Sequence, residues 1–219
     1  MIPGVDISRW QGKVDFVKMH AGGAKFVFIK ATQGLTVDSM FYENWVASKG
    51  ILPRGAYCYM SWQVDPKKQA QFFVSAVAMK DCPNELPLVV DFECRAYAPG
   101  PTRSVPFLTT FVEEVYSLTR KRPMIYTSPS FWREFGSKGA YWKTYPLWIA
   151  NYGVSKPLIP APWTQATVWQ YSDKGDGEAL GVSSKSIDMN KWLLGEPAVS
   201  DVRKKGDCPG CQEYFEAVA

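Results

Sequence analysis

The chain predicts an α/β fold in which eight short strands close into a barrel inside an incomplete outer ring of about five helices. Three observations carry this expectation. Short runs rich in β-branched or aromatic residues recur along the chain, each flanked by Gly, Pro, Ser or Asp. Stretches of helical periodicity separate the first five or six of these runs, whereas no long helical stretch follows Tyr145. The length of 219 residues suits one such barrel, and a chain of this size buries roughly 70% of its unfolded surface.

Taken in order, the first strand is expected at residues 4–7 and is followed by a short helix at 15–20. The second strand, 26–30, leads to a helix at 41–49. The third, 54–60, leads to a helix at 67–79, where Ala70, Phe73, Val74 and Val77 recur at helical spacing. The fourth, 86–93, is the most apolar. The helix after it, 105–119, places Phe107, Leu108, Phe111, Val112 and Val115 on one face, and Arg120 and Lys121 follow at its end, where cations suit the helix dipole. The fifth strand, 124–127, precedes a helix at 129–135 that opens on Pro129, a residue suited to a first turn. The last three strands, 147–151, 168–171 and 186–189, lie close together among Pro, Gly and Asp. Several strands are almost wholly apolar, as expected when both faces of a parallel sheet are covered. Residues 1–194 thus form one domain, and 195–219 read as a linker or C-terminal tail without internal repeats.

Composition narrows the function classes. Hydrophobic residues make up 46% of the chain and charged residues 21%, and no apolar run reaches the length of a membrane span, so no membrane insertion is expected. The net charge of +4 favours approach to an anionic polymer such as a bacterial wall. It forms no dense basic stripe, and no nucleic-acid signature accompanies it, so no nucleic-acid partner is expected. Nine Trp, eleven Tyr and twelve Phe are many, and a good number adjoin polar or acidic residues. That pattern suits sugars, whose flat C–H faces are ringed by hydroxyls, but filling a large barrel core would use aromatics too.

The five cysteines (Cys58, Cys82, Cys94, Cys208 and Cys211) are odd in number and scattered, unlike a disulfide framework. Cys208 and Cys211 have metal or redox spacing, but a second ligand pair is missing and His20 is the single histidine. No metal and no cofactor is therefore expected, and the chain reads as a monomer. Met1 to Gly4 lack the basic region and apolar core of a secretory signal. A protein of this sequence that works outside the cytoplasm would leave by another route, such as release on phage lysis, or have lost a signal.

Four acids stand out on this scaffold. Asp6 follows the apolar start of the first strand, Asp91 and Glu93 end the fourth, and Asp188 sits in the last. In a parallel barrel, reactive groups gather at the C-terminal ends of strands, and closure makes the first and eighth strands neighbours. The i, i+2 spacing of Asp91 and Glu93 points both carboxyls to one face, with Cα atoms about 6.6–6.8 Å apart. Carboxylates this close raise one another's proton affinity. A protonated acid beside an anion is the pairing that glycoside hydrolysis needs.

The motifs around these acids resemble the family 25 glycoside hydrolases, the Chalaropsis-type lysozymes that include many phage endolysins. The matching segments are Gly4-Val5-Asp6-Ile7-Ser8 with Gln11-Gly12, then Phe26 to Gly34, Gly55-Ala56-Tyr57 and Val90-Asp91-Phe92-Glu93. Ile125-Tyr126-Thr127, Pro146 to Tyr152, Trp169-Gln170-Tyr171-Ser172 and Ile187-Asp188-Met189-Asn190 complete a set in the family's order, spanning about Gly4 to Leu194.

The resemblance implies an irregular TIM-like (β/α)5(β)3 barrel. It also implies cleavage of the β-1,4 bond between N-acetylmuramic acid and N-acetylglucosamine in bacterial peptidoglycan, with retention. It makes Glu93 the general acid, Asp91 the group that stabilises the cationic transition state or orients the 2-acetamido group, and Asp6 and Asp188 the rest of the acidic floor. Attack by a carboxylate such as Asp6 and attack by the acetamido group both stay open. Lys30, Tyr57, Tyr59, Trp62, Tyr126, Trp148 and Tyr152 are expected to contact substrate. Cys58 stands where family members commonly carry a histidine. The rival readings are a glycan-binding protein that kept the fold without turnover, and a related N-acetylhexosaminidase or chitinase-like enzyme.

Overall fold

The structure is a computed structural model that describes residues 1–78 and 86–197. Its strands are β1 (Ile2–Ile7), β2 (Val27–Gln33), β3 (Thr36–Val37), β4 (Arg54–Tyr59), β5 (Val89–Asp91), β6 (Met124–Thr127), β7 (Leu147–Ala150), β8 (Val168–Asp176) and β9 (Ser186–Trp192). Its helices are α1 (Phe16–Ala21), α2 (Phe41–Ala47), α3 (Pro66–Ala78), α4 (Pro101–Thr119) and α5 (Pro129–Phe135).

The sheet runs β1-β9-β8-β7-β6-β5-β4-β2, and β1 pairs back onto β2, which closes an eight-stranded barrel. Strand β3 only folds back along the end of β2. The fold is the expected α/β barrel with five helices among the described residues.

One expectation about direction needs correcting. The last strand is not parallel to its neighbours: β9 runs antiparallel to both β8 and β1. Strands β8 and β9 are also longer than the sequence suggests: β8 runs on through a polar stretch (Asp173, Lys174, Gly175) with no apolar alternation to reveal it, and β9 continues past Met189 to Trp192 beside β1. Strand β5 is shorter, ending at Asp91 rather than Glu93. Helix α4 begins at Pro101, ahead of the expected start at residue 105, and carries Pro106 inside it. The expected tail lies outside the described residues from 198 onward, as do Cys82, Cys208 and Cys211.

Alternation along the strands sorts the core into two regions. Val5, Val27, Ile29, Ala56, Val90, Ile125 and Ile149 face outward and pack under the helices with Trp45, Phe73, Phe111 and Trp132. Phe26, Phe28, Val89, Met124, Trp148, Val168 and Trp192 face inward and fill the barrel. Phe28 stacks on Trp148 across the interior at 4.6 Å, and Phe26 meets Trp192 edge-on at 5.6 Å. Glycines make room for these rings. A Cβ on Gly4 would lie 2.4 Å from the Phe26 ring, and one on Gly55 would lie 2.4 Å from the Phe28 ring. Gly4→Ala should therefore lower stability by about 1–3 kcal/mol through overpacking. Denaturant unfolding would measure this, and an unchanged midpoint would show that the ring moves freely.

The filling stops partway up the barrel. Above the aromatic plug, the inward positions of β1, β2, β4, β5, β6, β8 and β9 turn polar. No helix among the described residues is long and apolar enough to cross a membrane.

Candidate active site

A cavity of about 210 Å³ opens at the C-terminal ends of the parallel strands. Asp6, Asp91, Glu93 and Asp188 all line it, together with Lys30, Tyr57, Tyr59, Tyr126 and Trp148. The reversed direction of β9 explains how Asp188 reaches this rim. It lies in the first half of an antiparallel strand, directly paired with Asp6 of β1. Glu93 lies past the end of β5, yet the alternation persists there. Phe92 turns outward, fully buried against Phe131 and Trp132, while Asp91 and Glu93 both turn inward.

Two residues absent from the sequence-based set of candidates organise the floor. Gln170 on β8 donates from Nε2 to Asp6 Oδ1 at 2.9 Å, and its Oε1 accepts from the Tyr126 hydroxyl at 2.8 Å and the Tyr152 hydroxyl at 2.5 Å. Asn190 on β9 donates from Nδ2 to the same Asp6 oxygen at 2.7 Å, and its Oδ1 accepts from Trp148 Nε1 at 2.8 Å. Both amides are buried. The signal for each is an isolated polar residue at an inward strand position. Trp10, Ser8 and Gln11 also line the cavity. They sit on a short 3-10 turn (Arg9–Gln11) held by a capping box between Ser8 and Gln11.

Burial governs the acids. Asp188 is pushed up to about 8, first by burial and then by the charges of Asp6 and Asp173. Asp6 is pushed up only to about 6, because hydrogen bonds from Asn190 and Gln170 oppose the effect of its burial. Glu93 is raised by burial and by the Asp188 charge, with the Tyr126 hydroxyl and Lys30 working the other way. Asp91 is raised well above the usual carboxylate range by burial and by the Glu93 charge, against the pull of Lys30. Its Oδ1 is buried without a hydrogen-bond partner. Lys30 is lowered by its own burial, opposed by Asp91 and Asp38. Its ammonium donates to Gln33 at 2.9 Å and sits over the Tyr59 ring at 4.6 Å. Among the described residues no group of three or more His, Cys, Asp or Glu could hold a metal ion.

A family model for glycosyl hydrolases family 25 matches residues 5–179 of this chain. The chain belongs to that family. It is a glycoside hydrolase. Lysozyme M1 of Streptomyces globisporus is 31% identical over 202 residues, which cover 87% of this chain and 67% of that protein. The N,O-diacetylmuramidase of a Chalaropsis species is 30% identical, over 88% of this chain and 98% of that enzyme. Among solved structures, the bacterial lysozyme from Streptomyces coelicolor superposes with a TM-score of 0.80 at 29% identity, covering 90% of this chain and 94% of the other.

Not every residue expected to touch substrate faces the family 25 cavity. Trp62 does not line it: the indole packs edge-on against Phe92 and Phe107, and its Nε1 donates to the Cys94 carbonyl at 2.6 Å. Trp148 lines the floor, but Phe28 already covers its face, so its reach into the site runs through the hydrogen bond to Asn190. Tyr152 stands beside the cavity on Gln170. Cys58, at the family's histidine position, points outward into the core beneath the helices. Burial pushes its thiol up to about 12, so it stays neutral.

Proposed function

We propose that this chain is a muramidase that cleaves the β-1,4 bond between N-acetylmuramic acid and N-acetylglucosamine in bacterial peptidoglycan, with Glu93 as general acid and net retention. The observation that carries the assignment of Glu93 is the contrast among the four acids. Glu93 has a raised proton affinity and remains part-exposed in the cavity, whereas Asp6 and Asp91 are nearly sealed and Asp188, also part-exposed, is paired directly with Asp6. A general acid must hold its proton near neutral pH and reach the leaving oxygen. The names of the relatives support the substrate: lysozyme for one, N,O-diacetylmuramidase for another.

The ionised carboxylate on the cavity floor is Asp6, which suits the electrostatic stabilisation of an oxocarbenium-like transition state. Asp91, buried next to Lys30 with one oxygen unpartnered, has an acceptor free for the N–H of a 2-acetamido group. The acidic site is complete within one chain, so a single copy at the bacterial wall suffices for the chemistry.

Digestion of purified peptidoglycan followed by mass analysis tests this reading. New reducing ends on N-acetylmuramic acid are expected, with the anomeric configuration retained in the first product seen by NMR. Ends on N-acetylglucosamine would instead make the protein a glucosaminidase.

Trp10 is expected to serve as a sugar platform. It is 72% exposed at the cavity mouth, with the Arg9 guanidinium 4.9 Å from its ring. An exposed indole there has no folding role to explain it. Trp10→Ala should raise KM for glycan about tenfold, as loss of one aromatic contact of about 1.4 kcal/mol would. The unfolding midpoint should stay unchanged, and an unaltered KM would remove Trp10 from the binding surface.

A further inference from the structure

We propose that Gln170 and Asn190 form a carboxamide clamp that fixes Asp6 as the ionised member of the Asp6–Asp188 pair and leaves the shared proton on Asp188. The inference deepens the reading of this site as a glycosidase centre and rests on it. Both amides act as positioning residues, working through Asp6 rather than on substrate.

The geometry carries the argument. A carboxamide can present either end, so partners at both ends decide which one faces a carboxylate. Here both acceptor ends are held. Gln170 Oε1 takes two tyrosine hydroxyls, from Tyr126 and Tyr152, and Asn190 Oδ1 takes the Trp148 indole N–H, a group that can only donate. With the acceptor ends so occupied, the Nε2 and Nδ2 groups face Asp6, at 2.9 and 2.7 Å on a single oxygen. Two N–H donors on one oxygen favour an anion there and disfavour a proton.

Asp188, paired across the strands with Asp6, gains no such donors and faces the Asp6 charge. The split between the two acids, about 6 against about 8, follows the same order. Of the other groups around Asp6, Glu93 past the end of β5 and Asp91 at its end repel a charge there, and the hydroxyls of Tyr57, Tyr126 and Tyr152 are held neutral. Lys30 is drawn towards Asp91 and Asp38. The charge on Asp6 is held chiefly by the two amides, with the Asp188 hydroxyl as a lesser donor.

Carbon-13 carboxyl NMR titration of the whole protein tests the clamp without relying on turnover. In the wild type, the lower midpoint of the coupled pair should follow the Asp6 carbon and the higher one the Asp188 carbon. In Gln170→Met, which removes one donor at nearly constant volume, the Asp6 midpoint should rise by about one pH unit, a tenfold gain in proton affinity. Gln170→Glu should raise it further. The acid limb of kcat/KM on glycan should move to higher pH with it, whereas simple loosening would lower activity evenly at all pH values. Reversed midpoints in the wild type would overturn the proposal, as would an Asp6 midpoint unmoved in both folded variants. If the wild type titrates as expected but releases no reducing ends from glycan, the clamp stands and the muramidase reading fails.

Discussion

Glu93→Gln should reduce the release of new reducing ends from peptidoglycan by about 10³-fold at neutral pH, within the roughly 10²–10⁴ range of general acid catalysis. The substitution keeps the size and the hydrogen-bonding capacity of the side chain but removes the transferable proton. Departure of the glycosidic oxygen without that proton would leave an alkoxide, and the other part-exposed member of the four acids with a raised proton affinity is Asp188. Asp188 is engaged with Asp6 directly across the strand pair, so its proton is committed to that partner rather than to a leaving group. Binding should survive, because the Tyr57, Tyr59 and Tyr126 surfaces are untouched. A sedimentation assay with intact walls and a reducing-end assay on the same samples separate the two effects. Retention of more than a tenth of the wild-type rate would move the acid role to Asp188. Loss of both rate and binding would instead show that Glu93 holds the substrate.

Much of this site was legible in the chain because strands broadcast their faces. The inward turn of Asp91 and Glu93 follows from i, i+2 spacing, and it survives the end of β5 because Phe92 is anchored outward between Phe131 and Trp132. The pairing of Asp6 with Asp188 also follows, although the premise of parallel strands does not hold for β9. Closure of the barrel brings first and last strands together whichever way the last one runs. The same spacing applied to Asp188 points to Asn190, and applied to Val168 it points to Gln170. Amides are easily passed over because they carry no charge to mark them. Trp62 shows the opposite error, and Trp148, though it lines the cavity, has one face already covered. An aromatic beside a strand end reads as a sugar platform until the ring that covers its face is known, and Phe28 and Phe107 are contributed by distant segments. Contacts of that kind are set by packing and leave no local signature.

Asp188→Asn should stabilise the protein well beyond any effect of Asp6→Asn, although the two residues are paired across adjacent strands. Asp188 is raised from an ordinary carboxylate value to about 8, so the folded state binds its proton more tightly than the unfolded state does. Stability from such a group is fully present below the unfolded value of 3.8 and is lost as pH rises towards 8. An amide at this position escapes that loss, because it cannot ionise and it offers Asp6 an N–H in place of the acid's O–H. The gain from Asp188→Asn should therefore be near zero at pH 4, grow with pH, and level off above pH 8. Allowing for partial exposure and for coupling to Asp6, it should be on the order of 2 kcal/mol at pH 7. Asp6 is itself raised to about 6, so Asp6→Asn escapes a smaller loss of the same kind above that pH and sets it against a cost in hydrogen bonds. Gln170 and Asn190 present two N–H groups whose orientation is fixed by Tyr126, Tyr152 and Trp148. A new amide there can accept from them with its oxygen, but its own N–H₂ then faces Asp188, whose hydroxyl loses a carboxylate acceptor. Charge-assisted bonds become neutral ones, at a loss of about 1–2 kcal/mol. Urea unfolding of both variants between pH 4 and 9 would show the asymmetry. Equal effects of the two substitutions would mean that the proton moves freely between Asp6 and Asp188, and that the floor of the cavity has no fixed anion.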